Sequence, residues 1–348
     1  MPRPLRLLAL LLLCLPCPAL QADIASASRA LQEGRVEDAT HLLRPLAAQQ
    51  PSPAAAHLLL CRVAYAQEII DDAVKECEAA ASISPSSSEV QLWLGRAYGR
   101  EASSANPLLA FSLARKVRDA FERSVRLDPA NLAAGNDLGE FYVTAPLIVG
   151  GGPGKARRLS ASLRSLGSPA ATAASHRVLA LLAEKEKDQA TAEAEFQQAA
   201  SVNAPIAPNS AGPNPPSPAA ASQASAAWID LAAFYARHGQ PDRAASAVRT
   251  GVSLDRARGA NLVDAAGVLT DAGRDPDLAI HLLREYLSST SRSDAAPAFK
   301  VRLQLGNLLS RSGDLASARQ QYALALALAP TFPPARRAVE THPPRASR

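Results

Sequence analysis

The sequence predicts an all-α solenoid of stacked antiparallel helix pairs, and three observations carry that prediction. Lys300–Pro330 reads as two short helices folded back on each other. Leu303, Leu305, Gly306 and Leu309 give the first helix an apolar face with one small residue in it. Gly313 and Asp314 break the chain, Ala318, Tyr322 and Ala325 recur at helical spacing, and Pro330 stops the second helix. A second observation is the period. Ala39 to Ala73 and Pro51 to Pro85 are both 34 residues apart. The third is composition: 47% of the chain is hydrophobic but only 4% aromatic, so Ala and Leu carry the apolar content. That balance favours helices packed closely through small side chains over a sandwich or barrel. One hairpin cannot bury its own apolar face, so stacked neighbours are required.

The first hairpin spans Asp23–Pro51, with Ala27, Ala30 and Leu31 inside, Gly34 at the turn, and Ala39, Leu43 and Leu46 on the return helix. The second repeats it with Cys61, Ala64, Ala73, Cys77 and Ala80. The third opens with Gln91–Tyr98 (QLWLGRAY) and closes with Phe121, Ser124 and Pro129. It is about ten residues longer than the period, the excess falling around Pro107. A fourth unit starts at Asn131–Tyr142 and finishes at Lys155–Leu166, with the long turn TAPLIVGGGPG between them. A fifth runs from Ala173 to about Asn203. The tryptophan, leucine, glycine and tyrosine of Gln91–Tyr98, with the 34-residue period, resemble the tetratricopeptide repeat. The resemblance implies a right-handed superhelix whose first helices line a concave, partner-binding surface.

Ala204–Ala221 (APIAPNSAGPNPPSPAAA) is too rich in proline to continue a helix and predicts a linker or long loop over 204–222. The pattern resumes with Trp228, Leu231, Ala232, Tyr235, Gly239, Ala244 and Val248. A weaker seventh unit rests on Gly273, Ala279 and Tyr286, and the eighth is Lys300–Pro330. A capping helix is expected at Phe332–Val339. The predicted organisation is a first array at 23–203, the linker, a second array at 223–340, and a tail at 341–348.

Met1–Ala22 has Arg3 and Arg6, then an apolar run at Leu7–Leu15, then PCPALQA. That order reads as a secretory signal peptide, and the run is too short to span a bilayer. The expectation is an exported chain, periplasmic or secreted, cut after Ala22 or Ala19. Cys14 and Cys17 lack the small residues of a lipoprotein cleavage box. Lys and Arg number 37 against 32 acids. With no basic run, that small excess argues against a nucleic-acid partner.

Gly150–Lys155 (GGGPGK) looks like a phosphate loop only in part. Val149 and Ala156 stand where the motif needs Gly and Ser or Thr, and no strand precedes it. Cys61 and Cys77 lie on the two helices of one hairpin, close enough in the pattern for a disulfide; two buried thiols are the other reading. His57 lies four residues before Cys61, so a three-ligand metal site with Cys77 is imaginable but lacks a fourth ligand. No HExxH or GxSxG motif occurs, nor a CxxC outside Met1–Ala22. The expectation is no catalytic residue, no cofactor and no metal.

Outward places on the first helices hold Arg62, Arg96, Arg100, Asn136 and Glu140 in the first array, and Arg237, Lys300, Asn307 and Arg311 in the second. Arginine grips carboxylates through paired hydrogen bonds, so a protein or peptide partner with acidic groups is expected there. The lysine and asparagine set of the family's peptide clamp is not found. The functional expectation is a non-catalytic scaffold, adaptor or chaperone-like module. An envelope enzyme or accessory subunit with a metal or nucleotide site, and a self-assembling structural protein, are the alternatives.

Overall fold

The computed structural model describes residues 18–202 and 217–341. Within them the chain forms eight helical hairpins and a terminal helix, with no strand among the described residues. The first five hairpins are α1 (Pro18–Gln32) with α2 (Val36–Ala47), α3 (Ala54–Ala66) with α4 (Ile70–Ile83), α5 (Ser88–Ser104) with α6 (Pro107–Leu127), α7 (Leu132–Thr144) with α8 (Pro153–Ser165), and α9 (Pro169–Lys185) with α10 (Gln189–Val202). Three follow: α11 (Pro218–Arg237) with α12 (Pro241–Leu254), α13 (Asn261–Asp271) with α14 (Pro276–Ser288), and α15 (Ala298–Arg311) with α16 (Leu315–Leu328). Helix α17 (Pro333–Thr341) caps the array.

Local signals set the helix ends. Ser87, Asn106, Asn131, Ser168, Ser217 and Asp314 each accept a backbone N–H from the first turn that follows. Proline opens α6, α8, α9, α11, α12 and α14, where its missing donor costs nothing. Three boundaries differ from the sequence expectation. Helix α1 begins at Pro18, inside the expected signal peptide, whose residues 1–17 lie outside the described set. Helix α11 begins at Pro218, so the last residues of the expected 204–222 linker are helical, because Ser217 caps and Pro218 fits the first turn. Residues 203–216 and 342–348 lie outside the described set. The third unit's extra residues do not form a loop. They lengthen α5 to 17 residues and α6 to 21, with Pro107 opening α6 rather than breaking a helix.

The helices of a pair meet through small residues. Ala39, Ala73, Ala244, Ala279 and Ala318 are fully buried, one on each second helix of their units. A Cβ on Gly306 would lie 2.5 Å from the ring of Tyr322, and one on Gly95 2.5 Å from Phe121. The missing side chain on one helix is the space that the aromatic ring of its partner fills. Successive units are also pinned by a recurring bond. Tyr98 and Tyr142 donate their hydroxyls to Glu78 and Glu122 of the preceding outer helix, at 2.6 and 2.8 Å. Burial, with the adjoining glutamate, pushes both phenols up.

The two ends of the array come together. Phe299 of α15 and Phe332 before α17 share one apolar core with Leu31, Leu43 and Leu60 of the first two hairpins. The turn at Gly34, with φ at +81°, lies so close that a Cβ there would sit 2.9 Å from the Phe299 nitrogen. Arg62 Nε donates to Asp294 at 2.6 Å, Thr331 Oγ1 to Gln67 at 2.7 Å, and Lys300 Nζ lies 3.4 Å from Glu68. Eight hairpins therefore turn through enough of a circle for the last to seat on the first two.

Gly306→Ala is expected to lose roughly 1–2 kcal/mol, the clash with a fully packed tyrosine outweighing alanine's better helix propensity. Chemical denaturation would measure it, with Gly306→Ala/Tyr322→Leu recovering part of the loss.

Candidate functional site

The first helices of successive hairpins carry a chain of ion pairs that bridges one unit to the next. Arg62 on α3 reaches Glu89 on α5 at 3.1 Å as well as Asp294. Arg96, 34 residues on and at the same place in its unit, bonds Asp137 of α7 at 2.6 Å. Arg177 of α9 joins Glu140 of α7 at 3.6 Å to Asp230 of α11 at 3.1 Å. Arg237 and His238 then grip Glu184 across α11 and α9.

At the first of these stations sit two aromatic rings. The guanidinium carbons of Arg62 and Arg96 lie 5.0 and 4.8 Å from the centre of the Trp93 ring. Tyr65 meets Trp93 edge-on at 5.6 Å, and Arg100 stands 6.0 Å over Tyr65. Arg100 is half-exposed and reaches its nearest carboxylate, Glu68, only at 4.0 Å. A cluster of arginines on flat π-faces offers both a charged and an apolar contact to an incoming chain.

Further round, the inner face holds carboxylates close together. Burial works against the Arg177 charge, but Asp230 and Glu140 outweigh it and hold the guanidinium above its usual pKa. Asp230 is itself pushed up by burial against the pull of Arg177. Asp264 of α13 has an exposed side chain, yet surrounding protein displaces enough water, with the Asp230 charge adding, to raise it to about 6.

The sequence-predicted residues divide accordingly. Arg62, Arg96, Arg100, Glu140, Arg237 and Lys300 all face acidic or basic partners within the chain. Each of these charges is thus engaged within the chain before any partner arrives. Asn136 is half-buried, its Oδ1 lacking a hydrogen-bond partner among the described residues. Asn307 turns to its own hairpin and accepts the Tyr322 hydroxyl at 3.0 Å, and Arg311 is exposed. Trp93, Arg177, Asp230, Asp264 and Asp294 belong to the same face and escaped the sequence reading. Charge partners 40 or more residues away, such as Arg177 and Asp230, carry no local signal.

Cys61 and Cys77 are joined by a disulfide, with their Cα atoms 5.2 Å apart. His57 bonds Glu76 through Nδ1 at 2.7 Å and Ser52 through Nε2 at 3.0 Å, so both ring nitrogens are engaged. His176 and Glu195 repeat that pair at 2.6 Å in the fifth hairpin, which marks it as a structural device. No group of three metal-ligating side chains occurs among the described residues. Gly150–Lys155 leads from a single 3₁₀ turn, Leu147–Val149, into α8, and Lys155 pairs with Glu122 at 3.1 Å.

Stacked helix pairs with a charged inner face define a helical-hairpin repeat protein. Residues 24–88 and 299–332, at the two ends of the array, each match a family model of the tetratricopeptide repeat. Among solved structures, a thermophilic tetratricopeptide repeat protein of Thermus thermophilus matches at 16% identity and a TM-score of 0.40, covering 77% of this chain and 99% of that one. A tetratricopeptide repeat protein from Parabacteroides merdae matches at 11% identity and 0.39, over 92% and 98%. No curated protein matches. No helix among the described residues is long and apolar enough to cross a membrane.

The raised Asp264 has a consequence with a definite sign. A carboxyl whose pKa rises from 3.8 to about 6 on folding destabilises the fold while ionised. That cost is complete above pH 6 and fades as pH falls towards the unfolded value. Asp264→Asn should therefore raise the melting temperature at about pH 7.5 and lose that gain by about pH 4. Differential scanning fluorimetry across that range checks it; a gain that does not change with pH would contradict it.

Proposed function

We propose that the protein is a non-catalytic scaffold or adaptor, exported from the cytoplasm, that docks a segment of a partner protein on its inner face. The observation that carries this reading is the station formed by Arg62, Tyr65, Trp93, Arg96 and Arg100, where cations and aromatic faces stand together on the first helices. Acidic groups of a partner would compete with Glu68, Glu89 and Asp137 for the same guanidinium groups, exchanging one charge-assisted bond for another. Such exchange gives specificity more than affinity, and the rings supply apolar contact. Binding should weaken as salt rises. Export rests on the charge order and apolar run of Met1–Ala22, and an oxidising compartment suits the Cys61–Cys77 bond.

The self-assembly reading has less to stand on, because the start of the last hairpin seats against the first two hairpins of the same chain. A partner that covers Trp93 and Arg100 should be captured by crosslinking from a native envelope extract. The Trp93→Ala/Arg100→Glu variant, matched in helicity by circular dichroism, is expected to lose that partner. Arg62 is left intact in this test because its bond to Asp294 also holds the chain's ends together. Equal capture by both proteins would move the site elsewhere, and capture by neither would overturn the adaptor reading.

A further inference from the structure

The loop before α3 places three polar groups in a line that the stacking of hairpins does not require. Ser52 Oγ lies 3.0 Å from His57 Nε2, and His57 Nδ1 lies 2.7 Å from Glu76 Oε2. A carboxylate only accepts hydrogen bonds, so in the neutral ring Nδ1 carries the proton and donates it to Glu76. Nε2 is then the bare nitrogen, and the Ser52 hydroxyl donates to it. Hydroxyl, imidazole and carboxylate in that order are what nucleophilic attack by a serine needs.

The fifth hairpin shares the histidine and glutamate but not the serine. Ala171 stands five residues before His176, so the His176–Glu195 pair has no hydroxyl at that place. Packing accounts for the imidazole and the carboxylate, and leaves Ser52 unexplained. Cys61 follows His57 by four residues and Cys77 follows Glu76 by one, so the disulfide ties the two helices beside the pair. Ser52 is half-buried, and the His57 and Glu76 side chains are 16% and 23% exposed. The line is shielded from water without being closed off.

The start of α3, beside Ser52, supplies hydrogen-bond donors. Ser87, Asn131 and Ser168 cap the helices they precede, whereas Pro53 holds that place before α3 and no side chain caps it. The Ala56 N–H bonds the Pro53 carbonyl at 3.0 Å, but those of Ala54 and Ala55 have no partner among the described residues. Two open N–H groups at a helix start favour negative charge, including that on the oxygen of a tetrahedral adduct. Ala54 and Ala55 also line a groove of about 620 Å³, with Ile24, Leu58 and Leu59 among its walls. That groove is room for an apolar acyl chain.

We propose that Ser52 is an acyl-acceptor site, modified by activated esters with an apolar acyl group. Ser52 Oγ attacks the carbonyl carbon while His57 Nε2 takes the hydroxyl proton. The carbonyl oxygen, negative in the adduct, turns to the Ala54 and Ala55 N–H groups. Collapse of the adduct breaks the bond to the leaving oxygen, which takes the proton from His57 and departs as the free alcohol. The acyl group stays on Ser52 as an ester, and no oxidant or reductant is consumed. Glu76 acts through His57 as a positioning residue. One transfer per chain is enough, so the docking role of the inner face is untouched.

Incubation of the full chain with p-nitrophenyl butyrate tests it, read as nitrophenol release and as intact mass. One butyryl group per chain should appear, and fragment masses should place it on Ser52. An alkyl fluorophosphonate, whose serine adduct does not hydrolyse, should label the same residue. Ser52→Ala should remove both labels, and His57→Gln should slow them at least about a hundredfold. Glu76→Gln should slow them about tenfold yet still reach one group per chain, a split that loss of structure would not give. His176→Gln, which breaks the pair that lacks a serine, should change nothing, and circular dichroism confirms that each variant is folded. Label elsewhere than Ser52, an undiminished rate in Ser52→Ala or His57→Gln, or no label from either reagent would overturn the proposal.

Discussion

Close approach of helices through alanine and glycine is the constraint on which the rest of the structure depends. With only 4% aromatic residues, the chain cannot fill wide spaces between helices with large rings. It brings backbones together instead, and each of its few rings is placed opposite a gap, Phe121 over Gly95 and Tyr322 over Gly306. Packing of this kind is intolerant in both directions. An added methyl meets a ring, and a lost ring leaves a hole that neighbouring helices cannot close. The hydroxyl bonds from Tyr98 and Tyr142 are secondary by comparison, each worth about 1 kcal/mol against roughly 3 or more for a buried aromatic. They fix register between hairpins that the apolar contacts have already joined.

From that geometry the meeting of the two ends follows. Nearly equal units repeat nearly equal rotations, and eight of them bring Phe299 and Phe332 onto the core of the first two hairpins. A solenoid whose ends are free can bend along its whole length. One whose ends share a core resists that bending, because opening it exposes two fully buried phenylalanines and separates Arg62 from Asp294. The inner face is then a crowded place for charge. Arg177 stands between two carboxylates that hold its pKa up, whereas burial and the Asp230 charge, with no cation to offset them, push Asp264 up.

The fold was readable in the sequence because a repeat states its pattern several times over. Ala39, Ala73, Gly306 and Tyr322 each predict a buried, close contact from spacing alone, and each makes one. Proline is a breaker inside a helix, yet Pro107 and Pro218 both begin helices, because a capping Asn106 or Ser217 precedes them. The inner face was legible only by half. Spacing puts Arg62, Arg96 and Arg100 on one face of the first helices, but their partners Asp294, Asp137 and Glu68 lie on other hairpins or between helices, and the sequence holds no period that links them. Asp294 stands at 232 residues from Arg62, in a segment between helices.

Strict repetition also separates what folds the chain from what distinguishes it. A residue that recurs every 34 positions serves the packing shared by every unit, so it says little about any one partner. The residues that break the period are under no such demand. Units three and four show this: ten added residues lengthen α5 and α6, and a glycine-rich turn holds Leu147 and Ile148 in solvent. Each insertion places apolar surface in water, which costs solubility and contributes nothing to the core.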